Sequence, residues 1–131
     1  MKKIIATTVS VIMALLIVPG CYKVATVQVD NSPAVTKTVS FSKDLVPIFS
    51  KNCALSGCHA SGGQTPDLSS ANAYNSLIKG NYTDKTTPSN SKLYLWLTGK
   101  EAIAMPMGAA NNPSNINGLT LAWITQGAKN N

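Results

Sequence analysis

Arginine is absent from this 131-residue chain: all eleven basic side chains are lysines, against five acidic ones. Nucleic-acid binders usually carry a basic cluster in which arginine guanidinium groups bind phosphates. The sequence has no such cluster, so nucleic acid is excluded as a partner. The lysines are scattered, and four of them could ring a docking face or simply be solvated, namely Lys51, Lys79, Lys92 and Lys100.

Histidine and carboxylates are equally scarce. His59 is the only histidine, and the five acidic residues are spread from Asp30 to Glu101. Acid–base catalysis needs titratable side chains that converge on a substrate. With one imidazole and no clustered carboxylates, the sequence offers no catalytic constellation, and we do not expect an enzyme.

The first twenty residues have the anatomy of an export signal. Lys2 and Lys3 form a positive start, and residues 4–18 form an apolar core interrupted only by Thr and Ser. This core is shorter than the roughly twenty residues that cross a bilayer, and the Pro-Gly pair after it would end a helix. We therefore expect residues 1–20 to be a signal peptide of the lipoprotein type.

Cys21 makes the cysteine count odd. It closes the tetrapeptide "VPGC", which resembles the lipobox of bacterial lipoproteins, where cleavage precedes lipidation of the cysteine. The resemblance implies a lipid anchor at Cys21, on the periplasmic side of the inner or outer membrane or at the cell surface. Several acyl chains on one residue anchor a protein stably. The alternative is a free or paired cysteine, and an exposed thiol is a liability in an oxidising compartment.

Residues 21–40 alternate Val and Thr with polar residues and include Pro33. A strand is possible, but after a lipidated cysteine we interpret this segment as an extended tether. The folded domain is then expected at residues 41–131. That is a short chain from which to build a core without additional support.

Four short segments of this domain place apolar residues at helical spacing, separated by loops rich in Gly, Ser, Thr and Asn. Gly80 and Gly99 are positioned to end the second and third helices. No segment is convincingly β, so we predict an all-α fold with long polar loops. The apolar positions are Phe41, Leu45, Ile48 and Phe49, then Ala73, Tyr74, Leu77 and Ile78, then Leu93, Trp96 and Leu97, and last Ile116, Leu119 and Trp123.

The stretch "NCALSGCHA" brings Cys53, Cys58 and His59 together, and three chemistries could use them. A structural zinc site needs four ligands, and these residues supply three. A Cys53–Cys58 disulfide is permitted in an oxidising compartment, but it closes a very short loop and leaves His59 unexplained. Covalent haem uses all three residues, because two thiols form thioethers with the vinyl groups and the adjacent histidine binds the iron.

"CALSGCH" resembles the haem-attachment signature of c-type cytochromes, as a C-x-x-x-x-C-H variant of the usual C-x-x-C-H. The two extra residues must loop out, and Ser56-Gly57 supplies the flexibility. Residues 41–128 as a whole resemble small lipoprotein cytochromes. This resemblance implies a cytochrome c-like fold of short helices around one covalently bound haem c, with Phe49 of the first helix meeting Trp123 of the last.

Outside the signal, methionine occurs only in "AIAMPMGAA". A c-type haem with one histidine needs a second axial ligand, and methionine is common in electron carriers. The family's ligand usually precedes proline, which matches Met105, because Pro106 restricts that residue to an extended backbone. The resemblance thus implies His59 and Met105 as iron ligands, with Met107 packed beside the ring or facing solvent. The alternative is two methionines that fill gaps in a core.

"TPDL", residues 65–68, resembles the family segment in which a proline carbonyl accepts the Nδ1–H of the ligand histidine and a leucine packs on the haem. This implies that Pro66 orients His59 and that Leu68 contacts the haem. An ordinary turn would use the same residues.

The expected function is therefore membrane-anchored electron transfer between redox partner proteins. Two other classes stay open. One is a haem-based module that binds or senses a small ligand at an iron whose methionine is weak or absent. The other is a haem-free structural lipoprotein with a Cys53–Cys58 disulfide.

Overall fold

The computed structural model describes residues 31–101, 103–108 and 111–131. The expected signal peptide, Cys21 and the first part of the tether lie outside the described residues. A π-helical turn at Phe41–Leu45 leads directly into the first α-helix, and 3-10 turns at Pro88–Asn90 and Pro113–Asn115 lead toward the last two. The α-helices are α1 (Val46–Asn52), α2 (Ala73–Lys79), α3 (Lys92–Leu97) and α4 (Ile116–Thr125).

The described part of the chain is helical and contains no strand, in agreement with the all-α class. Each predicted segment contains one of the helices, and Gly80 and Gly99 follow the ends of α2 and α3 as expected. Pro47 lies in the first turn of α1. The N–H groups of the first turn have no partner within the helix, so the absence of an N–H in proline removes no helical hydrogen bond. Ser40 caps the π-helical turn, because its hydroxyl accepts a hydrogen bond from Lys43 N.

One buried cluster joins all four helices. α4 contacts both α3 and the π-helical turn, and its Trp123 is 1 % exposed. Burial of a large apolar side chain stabilises a fold by about 1.5–3 kcal/mol, so these residues supply most of its stability. The cluster consists of Val39, Phe41, Leu45, Ile48, Phe49, Cys53, Leu68, Ala73, Leu77, Leu93, Leu97, Ile116, Trp123, Ile124 and Ala128.

Phe41, rather than Phe49, supplies the ring that packs against Trp123. The centroid of the Phe41 ring lies 4.9 Å from that of Trp123 and 6.1 Å from that of Phe49. The resemblance implied a meeting of Phe49 and Trp123 instead. The wider π-helical turn, in which Val46 N–H bonds to Phe41 O, changes the direction of the side chains relative to α1.

Residues before Phe41 also belong to the packed part of the molecule. Val39 is 2 % exposed, and its N–H donates to Gln126 Oε1 at 2.8 Å. Gln126 Nε2 donates in turn to Lys37 O at 3.0 Å, and Asn131 Oδ1 accepts from Phe41 N at 2.9 Å. The end of the segment that the sequence assigns to the tether is therefore extended, but it is docked on the C-terminal part of the chain.

None of the helices in the described residues is both long and apolar enough to span a membrane.

Candidate functional site

The loop that carries both thiols is folded back on itself. Cys53 ends α1, and its carbonyl oxygen accepts a hydrogen bond from His59 N at 3.0 Å. Cys58 N donates to Leu55 O at 2.9 Å, so a turn separates the two cysteines. Gly57 has a φ of +77°, a left-handed conformation that residues with a side chain rarely adopt. The residues between the two cysteines thus form a turn that projects outward, and the hydrogen bond to Cys53 O places His59 next to the end of α1.

The two thiols have different surroundings. Cys53 is 8 % exposed and belongs to the buried cluster, whereas Cys58 is exposed, and both are free thiols. Burial, with a smaller contribution from Cys58, raises the pKa of Cys53 to about 11. The Cys53 sulfur is consequently protonated at neutral pH.

His59 is half-buried, and its ring is held by main-chain carbonyl groups. Nδ1 lies 2.9 Å from Pro66 O and 3.3 Å from Gln64 O. A carbonyl oxygen can only accept, so Nδ1 must be the protonated nitrogen of the neutral ring. The lone pair of the imidazole is therefore on Nε2, the atom that remains for a metal.

The segment opposite His59 is tied to it twice. In addition to the contact between Nδ1 and Pro66 O, Leu68 N donates to His59 O at 2.8 Å. Pro66 and Leu68 are both buried, and Leu68 is part of the core cluster. The hydrogen bond that the resemblance implies between Pro66 and His59 is thus present in the structure.

Gly63 is a residue of this loop that the sequence reasoning missed. A Cβ atom at this position would lie 2.3 Å from Cys58 O and 3.1 Å from Ala60 O. The chain crosses over its own backbone here, with Gln64 N bonded to Cys58 O. Only glycine permits this approach, which closes the loop between Cys58 and Pro66.

Asp67 is a second missed residue and the most connected side chain of the site. Its Oδ1 accepts from Ser69 N at 2.9 Å, and its Oδ2 accepts from Ser61 Oγ at 2.9 Å and Asn72 Nδ2 at 2.8 Å. These hydrogen bonds, those from Ser69 first, lower the pKa of Asp67 to about 2. The carboxylate is therefore charged at neutral pH. Asp67 lies within "TPDL", but the resemblance gave roles only to Pro66 and Leu68.

Met105 comes from a separate segment after α3. Its N–H donates to Trp96 O at 3.0 Å, and its side chain is half-buried against the core cluster that also contains Cys53 and Leu68. Met107, by contrast, is 67 % exposed. Hydrogen bonds join Cys53, His59, Pro66 and Leu68 into one unit, whereas Met105 is linked only to Cys53 and Leu68, through the core cluster.

The described residues, Cys53, Cys58 and His59 included, contain no group of conventional metal ligands. No three side chains of the types His, Cys, Asp and Glu converge there as a metal-binding group. A zinc site would need a fourth ligand beside Cys53, Cys58 and His59. The described residues supply no such ligand.

No family model, curated protein or solved structure matches this chain. Its function must therefore be inferred from the chemistry of the residues in the loop between Cys53 and Leu68 and from the segment that contains Met105.

Proposed function

We propose that this protein is a membrane-anchored monohaem c-type cytochrome that transfers electrons and is not an enzyme. The observation that carries the proposal is the hydrogen bond from His59 Nδ1 to Pro66 O, at 2.9 Å, in a loop that also holds two free thiols. This hydrogen bond leaves Nε2 as the only ring atom with a lone pair. Two thiols followed by an oriented imidazole are the donor set that covalent haem attachment requires.

Cys53 and Cys58 would hold the haem through thioethers. Each thiol would add across one vinyl group, its sulfur to one carbon and its hydrogen to the other, so the addition would release no leaving group and transfer no net electrons. Cys58 is exposed, which suits a residue that must be reached during attachment. Cys53 belongs to the buried cluster, which suits a sulfur that ties the haem to the core of a cytochrome c-like fold.

His59 and Met105 would be the axial ligands of the iron. When bound, haem supplies an iron that gains and loses one electron. Met105 is half-buried against the core, whereas Met107 is 67 % exposed, and this difference supports Met105 as the thioether ligand. Methionine is a soft ligand that favours the reduced iron and raises the potential. Leu68, 4 % exposed, would pack against the haem.

Export and anchoring complete the proposal. Residues 1–20 would direct export, and lipid on Cys21 would hold the protein to the periplasmic side of a membrane or to the cell surface. The described domain would then exchange electrons with redox partner proteins at that surface. The many lysines and the absence of arginine support a charged, mobile encounter surface rather than fixed recognition of phosphate.

An absorption spectrum of the full-length protein tests the proposal. The reduced protein should show the bands of a c-type haem, and carbon monoxide should leave them unchanged if Met105 is bound to the iron. Rapid binding of carbon monoxide would indicate a ligand-binding or sensing module instead. Intact mass after acid–acetone extraction should include the porphyrin, whereas a haem-free mass lighter by two hydrogens would establish the disulfide.

A further inference from the structure

The peptide group between Pro66 and Asp67 is held at both of its polar ends. Its carbonyl oxygen accepts from His59 Nδ1 at 2.9 Å, and its N–H donates to Ser76 Oγ of α2 at 2.8 Å. The N–H and C=O of one trans peptide group point in opposite directions within a rigid plane. Ser76 therefore fixes the direction of the carbonyl group to which the imidazole is bonded.

The Asp67 side chain holds the same peptide group from another direction. Its carboxylate joins Ser61, two residues after His59, to Asn72, which directly precedes α2. It also accepts from Ser69 N, which fixes the turn that follows. Hydrogen bonds to a charged acceptor are about twice as strong as neutral ones. The carboxylate thus keeps the chain on both sides of Pro66 in place.

We propose that Asp67 and Ser76 are positioning residues for His59, because together they fix the Pro66–Asp67 peptide group and thereby the tautomer and rotation of the imidazole. The inference rests on the proposed function in taking His59 as the iron ligand. A histidine whose Nδ1–H is held by a fixed acceptor is a more basic ligand, which favours ferric iron. Loss of the hydrogen bonds that Asp67 and Ser76 make should therefore free the Nδ1 proton and raise the reduction potential.

The chain contains a matched control for this arrangement. Asp84 N donates to Ser91 Oγ at 2.8 Å, and Asp84 Oδ1 accepts from Thr86 N at 2.8 Å. This repeats the pattern of Asp67 with Ser76, but in the loop before α3. Ser91 is 1 % exposed, so its replacement by Ala disturbs the fold at least as much as the same change at Ser76.

The test uses full-length, haem-loaded, reduced protein labelled with ¹⁵N-histidine. His59 is the only histidine, so the Nδ1–H signal needs no further assignment. Ser76→Ala should exchange this proton with solvent about tenfold faster, the equivalent of one typical hydrogen bond. It should also raise the reduction potential, although it changes no charge. Ser76→Thr keeps the hydroxyl and should restore both values, and Ser91→Ala should alter neither.

The proposal is overturned if the Nδ1 proton of His59 exchanges no faster in Ser76→Ala than in the parent protein. It is also overturned if Ser91→Ala accelerates this exchange equally, because that would indicate a general loosening of the fold. If Ser76→Ala does not fold, Asn72→Ala removes one of the hydrogen bonds to the Asp67 carboxylate, again without a change of charge, and is judged by the same criteria. A chain without covalent haem would refute the proposed function, yet the Nδ1 proton of His59 can still be followed in that full-length chain. The two failures are therefore distinguishable.

Discussion

His59 Nδ1 donates to the carbonyl oxygen of Pro66 across 2.9 Å, and this one hydrogen bond determines which nitrogen of the ring remains reactive. Because the Nδ1 proton is bound, Nε2 carries the lone pair. The ring is half-buried and directly follows Cys58. These three properties would make His59 a preorganised ligand for a metal ion.

Met105→Ala should remove a ligand of the proposed haem iron. We expect loss of the sulfur-to-iron charge-transfer band at the red end of the ferric spectrum, a lower reduction potential and new binding of carbon monoxide. The covalent haem should remain, because both thioethers are untouched. Absorption spectra of the oxidised and reduced protein measure all of these changes.

Met107→Ala is the matched control for that prediction. Met107 is 67 % exposed and two residues away, so its replacement should leave the charge-transfer band and the potential unchanged. The opposite pattern would identify Met107 as the ligand. If neither variant changes the band, the iron has a different ligand set.

Sequence reasoning reached the residues that belong to short motifs. The helices follow from apolar spacing, and the contact between Pro66 and His59 followed from the resemblance of "TPDL" to a known segment. Ser76 was out of reach because it belongs to no motif and lies nine positions from Asp67, and the resemblance of "TPDL" assigned no role to Asp67 itself. Only the folded backbone shows that one peptide group connects Ser76 to the imidazole.

The N-terminal boundary was out of reach for a similar reason. A segment that alternates Val and Thr with polar residues indicates neither a helix nor a core, so the domain was expected to begin at Phe41. Val39 is buried, and its N–H donates to Gln126, 87 positions away. When a distant side chain accepts a backbone hydrogen bond, the sequence around the donor contains no local signal of it.

Gly63→Ala should destabilise the protein and reduce haem incorporation. The new Cβ atom would lie 2.3 Å from Cys58 O, a distance that forces the backbone of the loop to move. Gly62→Ala is the control, because its Cβ has open space and only the φ of +80° opposes it. That strain costs about 1–2 kcal/mol. Denaturant unfolding should therefore show a larger loss for Gly63→Ala, and an equal loss would contradict the crowding explanation.

Gln126→Ala should weaken the docking of residues 37–39. The variant leaves Val39 N without its acceptor and Lys37 O without its donor, and we expect a loss of about 1–3 kcal/mol in the free energy of unfolding. Chemical denaturation monitored by tryptophan fluorescence reports the change, since Trp123 is in the adjacent core. Thr125→Ala, at an exposed neighbouring position, should cost much less. Equal losses would show that residues 37–39 do not depend on Gln126.

Cys21→Ser should separate the anchor from the fold. Without a sulfur to carry lipid, the protein should be released from membranes while its haem content stays unchanged, because the proposed haem site lies within residues 53–105. Fractionation followed by haem staining measures both properties. A Cys21→Ser protein that stays with the membrane would mean that an uncleaved signal or a protein partner provides the anchor.

Asp67 should make the stability of the protein sensitive to acid. Its pKa is about 2 in the folded protein, below its ordinary value of 3.8, because Ser69, Asn72 and Ser61 donate hydrogen bonds to the charged form. A lowered pKa contributes stability that is fully present above 3.8 and is lost as the pH falls toward 2. Thermal unfolding between pH 6 and pH 2 should therefore show a decrease that is smaller in Asp67→Asn. Asp84→Asn also removes one carboxylate but leaves Asp67 in place, so it should retain the slope of the parent protein. If the two variants gave identical pH profiles, the Asp67 carboxylate would not be the group that titrates in this range.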